Sequence, residues 1–204
     1  MTKHIKVAAL LSALVIFTLV LGMTVSPVSS VEKPKPETIE ATAQGTVVQS
    51  GTQFNITLII ERYSTPADRQ ILMQAFQQDK NQGLYKVLSK MKAVGHIAVT
   101  GGLGYDVSYI RLIPTSTGRT IRFITTRPIS FREERNDSLS SDYNLTAGEL
   151  ELNDMDKSKS TGVLYPRAML TVDKDNEIKF DLATEPFKLA DIIDRGSKAS
   201  SAFR

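Results

Sequence analysis

The chain contains no cysteine and no tryptophan, and it has only two histidines. Without cysteine there is no disulfide, no thiolate nucleophile and no thiolate metal site. An oxidising compartment stays open to it, because an exported domain does not require disulfides. His4 lies in the leader described below, so His96 is the one imidazole left for chemistry. A serine–histidine–acid triad or a histidine metal cage therefore starts short of parts. No serine stands in a Gly-x-Ser-x-Gly elbow. The missing tryptophan removes the usual sugar-stacking platform. Paired-carboxylate glycosidase chemistry leaves no sequence signature and stays open. An excess of one charge is also missing. Lys3 and Lys6 belong to the leader, and without them 23 basic residues stand against 22 acidic ones. That balance gives no electrostatic case for nucleic acid.

What is present begins with an address. Met1–Lys6 is a short positive head, Val7–Val25 is a long apolar run, and Val28-Ser29-Ser30 offers a small-residue cleavage site. Residues 1–30 read as a signal peptide. The alternative is an uncleaved anchor, since the run approaches the roughly 20 residues that span a bilayer. Ser12, Thr18, Gly22 and Thr24 weaken it as a permanent span. Either way the positive head stays inside and the domain is expected outside the cytoplasm, periplasmic or secreted, or anchored to the inner membrane. Residues 31–38, VEKPKPET, form an extended charged spacer. A single domain is expected over 39–195, followed by a disordered tail at 196–204.

Within the domain, Ala41–Val48 and Gln53–Tyr63 read as a hairpin around Ser50-Gly51. A two-residue turn there sets Ala43 against Leu58 and Ala41 against Ile60, with Asn55 and Thr57 on the polar face. Thr65-Pro66-Ala67-Asp68 is a helix start: a capping hydroxyl, proline at the first helical position and an acid behind it. Ile71, Leu72, Ala75 and Phe76 form one apolar stripe, and Leu84, Val87, Leu88 and Met91 form a second. The polar stretch 77–83 between them should bend or interrupt the helix. Ala93–Tyr105 is glycine-rich and reads as a loop or bulge, with His96 in a loop or at a strand end. Gly101-Gly102-Leu103-Gly104 lacks the spacing of a nucleotide fingerprint and is not followed by a helix.

Val107–Phe131 is the centre of the reading. A four-residue loop at Thr115–Gly118 pairs Leu112 with Ile121 and Ile110 with Phe123 on one apolar face. The same register puts Arg111 opposite Arg122. Like charges directly opposite destabilise a strand pair unless a negative group lies between them. That group is either an internal carboxylate, Glu149 or Glu151, or an anion from outside, and the internal partner is the commoner arrangement. Strands at Leu145–Asn153, Gly162–Val172 and Glu177–Leu182 follow, the last two paired Val172 to Ile178 and Leu170 to Phe180. Phe187–Ile193 adds a strand or a helical turn. Asp173–Glu177 resembles half a calcium loop but has Ile178 where glycine is needed, so it reads as a hairpin turn.

The segments Ile97–Gly101 (IAVTG), Tyr109–Pro114, Gly118–Arg119 and Thr126–Phe131 (TRPISF) resemble an uncharacterised family of small exported bacterial proteins, mainly of soil acidobacteria. The resemblance covers about 41–193. It implies an exported single domain and supplies no activity, cofactor or catalytic residue.

The expected fold is α+β: a mostly antiparallel sheet, curling toward a barrel, with a helical pair packed on it. The expected function is an exported, non-catalytic binding or envelope-associated module, with a small extracytoplasmic hydrolase as the alternative. No cofactor or metal is expected. Candidate contacts are Arg111, Arg122 and Arg127 with Gly101, Gly102 and Gly104, serving an unknown protein partner or a small anionic ligand. The membrane enters only through the N-terminal segment, if it is uncleaved.

Overall fold

A computed structural model of the chain describes residues 35–46, 50–100, 102, 104–127, 145–172, 178–182 and 185–196. The leader, residues 31–34 of the spacer, Gly101, the Asp173–Glu177 turn, the polar segment 132–142 and the tail beyond Gly196 lie outside these residues. Among the described residues nine strands and one α-helix follow in chain order: β1 (Glu37–Gln44), β2 (Gln53–Ile60), α1 (Pro66–Leu88), β3 (Gly95–Val99), β4 (Tyr105–Pro114), β5 (Gly118–Thr125), β6 (Leu145–Asn153), β7 (Thr161–Val172), β8 (Ile178–Leu182) and β9 (Phe187–Asp194), with a 3-10 turn at Lys157–Lys159 between β6 and β7.

The strands pair antiparallel in the order β6-β5-β4-β3-β2-β1-β9-β7, and β6 pairs with β7 to close an eight-stranded barrel. β8 lies outside that ring, paired with the distal half of β7. This corrects the α+β expectation. The protein is mostly sheet, closed on itself, with a single helical element on the outside in place of a helical pair covering a sheet. The difference has two sources. Gly95–Val99, read as loop, is the strand that joins β2 to β4. The β6–β7 ladder joins the two ends, and side-chain periodicity within each strand carries no information about such closure.

Alternation fills the interior. Ile39, Ala41, Ile56, Leu58, Ile97, Ile110, Ile121, Phe123, Leu150, Leu164, Phe187 and Leu189 belong to one buried cluster drawn from every strand of the ring. A barrel of this size has an interior just wide enough for its own side chains. The β4–β5 register shifts between Val107 and Tyr109. That bulge lets Val107 and Ile110 both reach the interior cluster while Tyr109 joins a second cluster. The second cluster also holds Leu72, Leu84 and Leu88 of α1 with Ile124, Leu145, Leu170 and Ile178. It seats α1 and the β7–β8 hairpin against the outside of the barrel.

α1 begins as its sequence dictates. The Thr65 side chain accepts from the Asp68 N–H at 3.1 Å, and the Asp68 carboxylate accepts from the Thr65 N–H at 2.8 Å. These bonds hold the Asp68 carboxyl below its ordinary range, the backbone bond to Thr65 contributing most. Helical geometry breaks at Asp79 and Lys80, inside the polar stretch where a bend was expected. Ile71, expected in the buried stripe, is 49% exposed; Leu72 and Ala75 carry the burial instead.

The central register, Arg111 to Arg122 and Leu112 to Ile121, is observed. So is the pairing of Val172 with Ile178 and Leu170 with Phe180. The first hairpin differs. Ala43 faces Phe54 and Ala41 faces Ile56, and Gly45 N–H donates to Thr52 O at 2.8 Å, so the connection is longer than a two-residue turn. The slip is an even number of residues, which keeps each side chain on its expected face.

Phe123 faces Gly148 across the β5–β6 ladder, and a Cβ at Gly148 would lie 2.2 Å from its ring. The ring occupies the space a side chain would need. Gly148→Ala should therefore destabilise the fold by about 1–3 kcal/mol through overpacking. Urea unfolding should show this, with Phe123→Leu in the same chain recovering part of the loss.

Candidate functional site

Arg111 and Arg122 stand side by side on the outer face of the barrel, since Ile110 and Phe123 take the interior positions. Of the two candidate carboxylates, Glu149 meets Arg122. It is the cross-strand neighbour of Arg122 on β6, and it accepts from the Arg122 Nε–H. Arg122 Nη1 also donates to the Ile178 carbonyl of β8 at 3.4 Å. Burial, and then the Glu149 charge, raise the Tyr165 phenol above its ordinary range, while Arg122 pulls it down. The Tyr165 ring meets that of Phe180 with centroids 5.6 Å apart. Glu151, the other candidate carboxylate, accepts instead from the Thr161 hydroxyl at 3.3 Å. Arg122 thus ties β5, β6 and the β7–β8 hairpin together.

The remaining sequence candidates lie elsewhere on the barrel. Val107 pairs with Thr125, so Arg127 and Gly104 both sit just past the paired ends of β4 and β5. That rim is about 13 Å along the strands from Arg111, at roughly 3.3 Å per residue. Arg127 is exposed, and its carbonyl accepts from the Thr125 and Thr146 hydroxyls at 2.6 and 3.1 Å. Gly102 N–H closes a turn to the Val99 carbonyl at 2.9 Å. Gly104 lies against His96, whose Nε2 would be 1.8 Å from a Cβ there, so a side chain at this position would displace the imidazole.

His96 is the second residue of β3 and faces Asp106 across the ladder, Nδ1 to Oδ1 at 3.4 Å. The imidazole is 40% exposed and the carboxylate 81%. Among the described residues no hydroxyl hydrogen-bonds to His96. Among the described residues, neither a hydroxyl nucleophile nor an enclosing pocket accompanies the pair. No group of three or more metal-ligating side chains occurs among the described residues.

Two arrangements went unseen in the sequence. The first closes one mouth of the barrel. Arg119 extends from β5 toward β1 and β9 on the far side of the ring, donating from Nη2 to Glu37 and, at 2.7 Å, to Asp194. The Tyr63 hydroxyl donates to the other Glu37 oxygen at 2.7 Å. The second is an open groove of about 290 Å³ on the outer face of β9, β1 and β2. It is lined chiefly by Glu40, Thr42, Asn55, Thr57, Asp191 and Ile193. The polar face of the first hairpin, with Asn55 and Thr57, was legible in the sequence. The placement of β9 beside β1, which adds Asp191 and Ile193, was not.

Comparison of the chain with protein-family models, curated proteins and solved structures gave no match. The reading of its function rests on its own geometry.

The mouth cluster gives two expectations. Arg119→Met would leave two partly buried carboxylates without their cation and should cost about 2–4 kcal/mol in urea unfolding. Burial first, and then the bond to Glu37, keep the Tyr63 phenol protonated well above its ordinary range. An unfolded tyrosine titrates near a pKa of about 10. The stability due to Tyr63 is therefore complete below about pH 10 and is lost as pH rises above it. Thermal unfolding followed from neutral to alkaline pH should show a steeper decline for the parent chain than for Tyr63→Phe.

Proposed function

We propose that this chain is an exported, non-catalytic binding module that acts outside the cytoplasm and holds its ligand on the outer face of the barrel. The leader-like first thirty residues motivate the location. Among the described residues no helix is long and apolar enough to cross a membrane. The observation that carries the binding reading is the division between a filled interior and a grooved exterior. Interior positions are taken by Ile, Leu, Phe and Ala, so the barrel acts as a scaffold. The concavity on the β9-β1-β2 face is lined by hydroxyl, amide and carboxylate groups. Polar groups convergent on a cleft are what orient a ligand.

The hydrolase alternative would have to use His96 and Asp106, which stand in solvent. The test uses the full-length chain expressed in its host, with intact mass read from envelope and culture fractions. Thr57→Arg, which fills the groove, should abolish retention of the cleaved chain on envelope material. His96→Gln should leave retention unchanged. Turnover of model esters, amides or glycosides that disappears with His96→Gln would replace this reading with the enzymatic one.

A further inference from the structure

Resting on the binding reading of the β9-β1-β2 groove, we propose that its ligand is an extended peptide segment carrying a lysine or arginine beside an apolar residue. The charge pattern points to a cation. The lining contains two carboxylates and no basic side chain. Glu40 is already neutralised: Arg195 donates to both its oxygens, at 2.8 and 2.7 Å, and holds the carboxyl below its ordinary range. Asp191 has no hydrogen-bond or ion-pair partner among the described residues, and it is exposed at the groove. A single unpaired carboxylate beside neutral hydrogen-bonding groups favours a cation and disfavours an anion.

Asp191 is also placed by an irregularity of the sheet. Glu40 pairs with Ile193 and Thr42 with Ala190, so Asp191 and Ile192 together oppose Ala41. This is a bulge, a device that redirects a side chain. Asp191 takes φ 51°, in the left-handed region that few side chains other than Asn and Asp adopt readily. The apolar contact follows from the next outward position, since Ile193 lines the same groove and is 50% exposed. The carboxylate and the isoleucine lie two residues apart, about the spacing of neighbouring side chains on one face of an extended peptide.

The neutral lining suits a backbone. The Thr42 hydroxyl donates to the Asn55 side-chain oxygen at 3.3 Å, leaving the Asn55 amide group and the Thr57 hydroxyl for main-chain partners. A glycan fits less well, because no aromatic ring lines the groove. At about 290 Å³ the groove has room for a few side chains of a longer chain.

The test uses the full-length protein and two labelled peptides, acetyl-Ala-Val-Lys-Val-Ala-amide and its counterpart with Glu in place of Lys, read by fluorescence polarisation at low salt. A trimer of N-acetylglucosamine is the competitor. The lysine peptide should bind, added salt should weaken it, and Asp191→Asn should weaken it about tenfold. Asn tolerates the same backbone conformation, so Tm should stay within a few degrees of the parent and exclude unfolding as the cause. Equal binding of the two peptides, no binding of the lysine peptide, no effect of Asp191→Asn, or displacement by the trisaccharide alone would each overturn the peptide assignment. In those cases loss of envelope retention in Thr57→Arg would still uphold the binding reading. Retention unaffected by Thr57→Arg would overturn both.

Discussion

Everything in this structure follows from closing eight strands around a space that only their own side chains can fill. Once β6 pairs with β7, alternate residues of each strand of the ring point inward, and between the mouths they must be apolar and of a size that fits their neighbours. The pairing of large with small answers that demand. Phe123 lies over Gly148, and Ala41 and Ala43 face Ile56 and Phe54. The bulge at Ser108 serves the same end, because it returns Ile110 to the interior while sending Tyr109 under α1. A filled interior leaves concave surface only on the exterior.

Two clusters of charged residues serve different tasks. Inward-facing Arg119, Glu37 and Asp194 close a mouth where the apolar filling stops, each charge compensated and Tyr63 sealing the side. Outward-facing Arg122 and Glu149 bind neighbouring strands to the hairpin that folds over them. Both clusters join elements distant in sequence through partly buried ion pairs. Asp191, by contrast, is a charge placed by an irregular backbone, with no partner among the described residues.

Local chemistry in the chain was readable, and long-range chemistry was not. The Thr65–Asp68 cap, the helix break near Asp79 and the registers around Thr115–Gly118 and at Val172–Ile178 depend on residues close in sequence. The sequence offered Glu149 and Glu151 as partners for the paired arginines, and Glu149 takes Arg122 from the β6 side. β3 was lost because Gly95 and the glycines after Thr100 mask a five-residue strand as loop. The groove was half legible. Asn55 and Thr57 fall on the polar face of a hairpin, but nothing near Asp191 in sequence says that β9 will lie against β1. Closure, and the site built on it, belong to pairings between distant segments.

The entry of β1 and the exit of β9 lie side by side, held by the Arg195 N–H to Thr38 carbonyl bond at 3.0 Å. The two strands run antiparallel, so tension applied through these ends would load their ladder one hydrogen-bonded pair at a time. Such a zipper opens at low force, whereas a ladder pulled along its strands must break all its bonds together. The barrel would resist heat and denaturant through its filled interior and yet part readily when pulled.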